Sequence, residues 1–350
     1  MKIQPTLAPL ALLALALVPT PASARRGTPA APAGDYHLLR TFDVAGDGGW
    51  DYLTVEPEGH RLFVSRSTHV MVVDLETGKV VGDIPDTAGV HGIALAPDLG
   101  RGFTSNGKAG TATIFDLKTL ATIGTVKTGD NPDSILYDAP TKRVFTFNGR
   151  SGDTTVIDAA AGTVSGTIAL GGKPEFSVSD GAGKVFVNIE DKSEVVALDT
   201  KKLEVLARWS IAPGEEPSGL ALDRANKRLF SVCGNAKMIV LDCESGKVLA
   251  TLPIGDGVDG AAFDAASACA FASNGDGTLT VVHEDDAAKF SVLQSVETAR
   301  GARTMTLDPR THFAYLPAAR YEDAPAPTDG SRPGRPKMIA GSFKILEIGK

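Results

Sequence analysis

The chain has 350 residues, 43% hydrophobic and 22% charged, enough to bury a large core within one closed repeat domain. Its formal net charge of −7 at pH 7 argues against a non-specific nucleic-acid binder, which needs a basic surface. The 38 glycines and 21 prolines suit many short strands joined by tight turns.

In chain order, residues 1–24 read as a secretory signal peptide: Lys2 is the charged start, 10–18 is an unbroken apolar run, and Ala22-Ser23-Ala24 is a small-x-small cleavage pattern. The apolar run is shorter than the ~20 residues that span a bilayer, and no cysteine follows it, so neither a membrane span nor a lipid anchor is expected. Residues 25–35, rich in Ala and Pro, predict a flexible leader. The mature chain is therefore expected in the periplasm or secreted.

From residue 36 onward the sequence repeats. Copies start at Trp50, Val90, Pro132, Pro174, Pro217, Val258 and Ala302, separated by 40, 42, 42, 43, 41 and 44 residues. Each opens with an apolar strand ending near an acid, as at Glu56, Asp138 and Asp223. A β-branched and aromatic strand follows, such as Arg143-Val144-Phe145-Thr146-Phe147, then a third strand ending in Asp, as at Asp74, Asp116, Asp158, Asp199 and Asp242. A turn such as Glu76-Thr77-Gly78-Lys79 leads to a fourth, outer strand. Seven such copies predict an all-β, seven-bladed β-propeller over residues 36–350, with four-stranded antiparallel blades. The last copy ends after its third strand, and 38–44 resembles the outer strands, so the N-terminal strand is expected to complete the last blade and remove a free sheet edge.

The pattern Arg/Lys-x-Phe-Val-x-Asn followed by Val-x-Asp-x-x-Thr-Gly-Lys-Val resembles the YVTN-repeat, YncE-like β-propellers over about residues 36–350. The resemblance implies the fold and leaves the activity open, because propellers host both binding proteins and unrelated enzymes. Some YncE-like relatives are associated with DNA binding; here the acidic charge and the 6% aromatic content argue against a nucleic-acid partner.

In a propeller, the loops entering the innermost strands and those linking the second and third strands share one face around the central channel. The second residue of each copy is expected to ring that mouth: Asp51, His91, Asp133, Glu175, Ser218, Asp259 and Arg303. Carboxylates crowded there raise one another's pKa or attract a cation, with oxygen ligands favouring Ca²⁺ or Mg²⁺. Trp50 is expected near the mouth, and a second ring, Arg66, Asn106, Asn148, Asn188, Asn235 and Asn274, just outside it. Three of these precede Gly, the preferred pair for a two-residue hairpin turn with φ > 0 at both positions. An insert at 321–338 in the last copy, carrying Arg332, Arg335 and Lys337, is expected on the same face, as a lid or a linker.

The three cysteines are read mainly as buried small hydrophobes, with Cys243–Cys269 the one geometrically plausible disulfide. There is no haem signature, Gly-x-Ser-x-Gly elbow, His-Glu-x-x-His or phosphate loop, and Trp50 alone would not floor a quinone cofactor. The sequence thus favours a binding scaffold for a small molecule, glycan or protein. The alternative, by analogy with propeller lactonases, is a metal-assisted hydrolase using Asp51, Asp133, Glu175 and Asp259.

Overall fold

Each repeat folds as a meander of four antiparallel strands, and seven such sheets make the ring. The computed structural model describes residue 1 and residues 35–46, 48–322 and 337–350. The expected signal peptide, nearly all of the leader, and Arg332 and Arg335 of the insert lie outside the described residues. No helix among the described residues is long and apolar enough to cross a membrane.

The third blade shows the pattern: Pro132–Asp138, Arg143–Asn148, Asp153–Asp158 and Thr163–Ala169 pair in sequence order. The middle two strands are covered on both faces by neighbouring blades, so they read as continuous β-branched and aromatic runs rather than alternating ones. The outer strand is largely exposed. Six blades place a fully buried phenylalanine at the third position of the second strand (Phe63, Phe103, Phe145, Phe186, Phe230, Phe271), and the seventh places Tyr315 at the equivalent register position, the second of its shorter strand. Burying each such ring contributes ~2–3 kcal/mol.

The third-strand aspartates tie the turns that follow. Asp74 Oδ1 accepts from Thr77 N at 2.7 Å and Thr77 Oγ1 at 2.6 Å, and Gly78 supplies the positive φ that closes the turn. Arginines opening the second strands then join each blade to the next. Arg61 donates to Leu117 O (2.7 Å), Arg101 to Ala159 O (2.8 Å), Arg143 to Thr200 O (2.6 Å) and Arg228 to Ala287 O (2.9 Å). In the fourth blade this position is Lys184, whose ammonium makes no hydrogen bond among the described residues; it lines an inter-blade groove beside Cys243 and Glu244.

The ring closes as the repeat pattern predicts. His37–Asp43 pairs antiparallel with Lys344–Gly349, completing the blade of Thr306–Leu307 and Ala314–Ala318. Arg40 grips the buried Glu347 through two bonds of 2.8 and 2.7 Å and also donates to Leu75 O at 2.9 Å, across to the first blade.

One sequence expectation needs correction. Asn106, Asn148 and Asn274 are not turn residues: none has positive φ, each ends a second strand, and each is buried. Their amides cross the hairpin, Asn106 to Thr113 Oγ1 (2.8 Å) and Asn148 to Asp153 Oδ1 (2.6 Å), while Gly110, Gly152 and Gly277 take the left-handed positions. All three cysteines are free and buried, so Cys243 and Cys269 are not bridged. The insert begins as a short ladder, with Tyr321 opposite Met338 and Glu322 N donating to Lys337 O at 2.8 Å.

Candidate functional site

The mouth residues are aimed by a break in strand register. In blades two to five the ladder between first and second strands slips just after its first pair, at Val90/Ile93, Pro132/Ile135, Pro174/Ser177 and Pro217/Leu220. In these four copies the second residue sits in that bulge and turns out of the pleat toward the axis. Second-strand side chains hold the mouth segments in place: Ser105 donates to Asp133 O, Asn188 Nδ2 donates to Ser218 O (2.8 Å) and Gly219 O (3.0 Å), and, in the unbulged first blade, Ser65 accepts from Asp51 N at 2.9 Å. Glycine at the third position lets adjacent inner strands close up; a Cβ on Gly219 would lie 2.7 Å from Ala261 N.

All seven second-position residues line one cavity of about 440 Å³, floored by Tyr52 and joined by Lys173, Glu190 and Glu216. They do not form a uniform acidic ring. Asp51 Oδ2 lies 2.6 Å from His91 Nδ1, and Asp133 Oδ1 lies 3.8 Å from the same nitrogen. Glu175 pairs with Lys173 at 2.8 Å, and Lys173 also pairs with Glu190. Asp259 pairs with Arg303 at 3.1 Å. The four carboxylates expected to converge therefore divide among three sub-sites, and only Asp51 and Asp133 share one.

Burial dominates the electrostatics. It lifts Asp133 to about 6, with the Asp51 charge adding to the rise and His91 opposing it. Burial lifts Asp259 to about 7 despite Arg303. Glu175 is pushed well up by burial and by Asp133, and Lys173 only partly offsets this. For His91, burial alone would disfavour the cation, but the Asp51 bond and the Asp133 and Asp51 charges outweigh it and raise the pKa. The Tyr52 hydroxyl is held far up by burial and the surrounding carboxylates.

The second ring does not line the cavity. Arg66 is fully buried, with its guanidinium 3.6 Å from the Phe343 ring centroid and bonds to Gly46 O (3.0 Å) and Gly48 O (2.9 Å), binding the segment before the first blade to the last. Trp50 packs against Phe343 (5.1 Å) and Tyr321 (6.2 Å) and is not among the cavity residues. Asn188 is buried beneath the mouth, and Asn235 bonds Pro213 O at 3.0 Å and Glu215 N at 3.2 Å in the loop that enters the same blade. Lys173, Glu190 and Glu216 were not anticipated from sequence. Lys173 and Glu216 each precede the proline that opens a copy, a position the register marks as facing the same mouth.

No protein-family model matches the chain, and no curated protein matches it in sequence. Solved structures share the fold. A chain of hydrazine synthase from Kuenenia stuttgartiensis superposes with TM-score 0.67 at 19% identity, over 78% of this chain and 94% of that one. The WD40 repeats of RRP9 superpose with TM-score 0.71 at 12% identity, over 91% of this chain and 99% of that one. At these identities the likeness defines the class, a seven-bladed β-propeller, and nothing finer.

Proposed function

We propose that this chain is an exported, YVTN-type β-propeller that works as a binding module, engaging a small-molecule, glycan or protein partner through its channel-mouth face. The observation that carries the reading is the mouth cavity, where polar side chains from all seven blades converge on one concave space. Six carboxyl groups (Asp51, Asp133, Glu175, Glu190, Glu216, Asp259) face three basic ones (His91, Lys173, Arg303), so a cationic or hydrogen-donating group on the partner is favoured. The signal-like 1–24 supports export.

The test is thermal unfolding of the mature chain with polyamines, amino-sugar oligomers and Lys-rich peptides, repeated on Asp259→Asn and Glu216→Gln. A ligand that raises the wild-type midpoint and loses that effect in the variants supports the reading. A shift that survives both substitutions places binding elsewhere and refutes it.

A second reading, a metal-assisted lactonase-type hydrolase, is favoured by one observation: ligating atoms of Asp51, His91 and Asp133 lie within 4.8 Å of one another. A cation there would polarise an acyl carbonyl. Lactone hydrolysis that persists in His91→Gln would remove this reading.

A further inference from the structure

We infer that Asp51, His91 and Asp133 form a site for a divalent first-row transition metal, of the Mn²⁺ to Zn²⁺ class, set in the wall of the mouth cavity. This deepens the binding reading and rests on it, because it names the resident of one of the three sub-sites.

The donor set is one imidazole nitrogen and two carboxylates, from three consecutive blades. Ca²⁺ and Mg²⁺ prefer all-oxygen shells, whereas an imidazole with carboxylates suits Mn²⁺, Co²⁺ and Zn²⁺. Glu175 and Glu190 are paired with Lys173 and Asp259 with Arg303 (3.1 Å), while Glu216 has no ion pair among the described residues. Among the described residues this trio is the group of His, Cys, Asp or Glu side chains whose ligand atoms lie close enough together to share one ion.

A second, independent observation points the same way. The Asp133 carboxyl lines the cavity with its side chain 15% exposed and accepts no hydrogen bond among the described residues; its nearest basic atom is His91 Nδ1 at 3.8 Å. A mostly covered carboxylate at a cavity wall that accepts no donor is open to a cation.

The trio is also held rigidly. Asp51 is pinned through its N–H to Ser65 (2.9 Å), and the backbone of Asp133 accepts from Ser105. The His91 ring lies so close to Gly107 that a Cβ there would come within 2.6 Å of Nε2. A site on fixed strands loses little order when it binds, which favours affinity. Three protein ligands leave further coordination positions open to the cavity, where water or a donor atom of the partner would complete the shell.

The test is calorimetric titration of the EDTA-treated, dialysed mature chain with Mn²⁺, Co²⁺, Zn²⁺, Ca²⁺ and Mg²⁺ separately, with the visible absorption of the Co²⁺ form recorded. The expected result is one first-row ion per chain, bound at least ~10-fold more tightly than Ca²⁺ or Mg²⁺. Asp133→Asn and His91→Gln should each weaken binding ~10-fold or more while keeping a cooperative melt. His283→Gln, at a distant His–Asp pair, should leave it unchanged. If His91→Gln fails to fold, the isosteric Asp133→Asn and the wild-type Co²⁺ spectrum, which reports nitrogen ligation, still decide. No binding at millimolar ion, or undiminished binding in the folded variants, overturns the inference. A chain that takes no metal but still binds a ligand lost in Asp259→Asn keeps the binding reading and loses only the metal.

Discussion

Replacing Glu284 by Gln should stabilise the ring at alkaline pH and do nothing at acid pH. Glu284, in the third strand of the sixth blade (Thr278–Asp286), is 5% exposed, and neither carboxyl oxygen has a hydrogen-bond partner among the described residues. It faces Asp223 of the fifth blade, whose oxygens are already engaged by Ala225 N (2.8 Å) and Asn226 N (3.2 Å). Burial first, and then the Asp223 charge, lift Glu284 from 4.5 to about 7, with Arg228 opposing. The folded chain thus keeps a proton that the unfolded chain has released. The group's stabilising contribution is complete below 4.5 and is lost as pH rises through about 7. At 1.36 kcal/mol per pH unit the ceiling is ~3 kcal/mol, and screening by nearby solvent reduces this to roughly 1.5 kcal/mol. Urea unfolding at pH 5 and pH 8 measures it. Glu284→Gln should gain roughly 1–1.5 kcal/mol at pH 8 and almost nothing at pH 5. An equal gain at both values, or a loss at pH 8, would refute the account of this junction.

Two further outcomes test how the blades are joined. Arg40→Met leaves the Glu347 carboxylate, 2% exposed, without its two charged donors, and should cost ~2 kcal/mol, seen as a lower thermal midpoint. Lys184→Arg restores at the fourth-to-fifth junction the cross-blade bond that arginine makes at four others. It should add ~0.5–1 kcal/mol in urea unfolding, whereas the same change at the exposed Lys202 should add nothing.

The sequence carried the ring, its closure and the cavity wall because all three follow from one register repeated seven times. Once the copies align, the second residue of each must face the axis, and Asp51 through Arg303 do so together. What register does not carry is which counter-ion reaches in. Lys173 lies on the loop before its strand, and its long side chain, not its position, divides the acids into separate pairs. Local turn preference misplaced the Asn-Gly pairs, because buried threonine and aspartate partners across the hairpin outweighed it. Trp50 and Arg66 were misplaced because the last blade's Phe343 lies against both, a contact nearly 300 residues away in sequence. Glu284 gave no signal, since it stands where other copies have Leu117 or Ala159 and only the fold reveals the apolar setting.

The pairing of His37–Asp43 with Lys344–Gly349 also orders events in time. Blades two to six are runs of neighbouring hairpins, whose short loops close quickly. The closing sheet joins the two ends of the chain, so it is the slowest contact to find and forms only after synthesis has passed residue 344. Until then the last blade has an unpaired outer edge, open to a second chain's N-terminal strand as readily as to its own. Exchange of that strand between molecules is therefore the misassembly this architecture favours at high concentration. Slow dilution during refolding should suppress it.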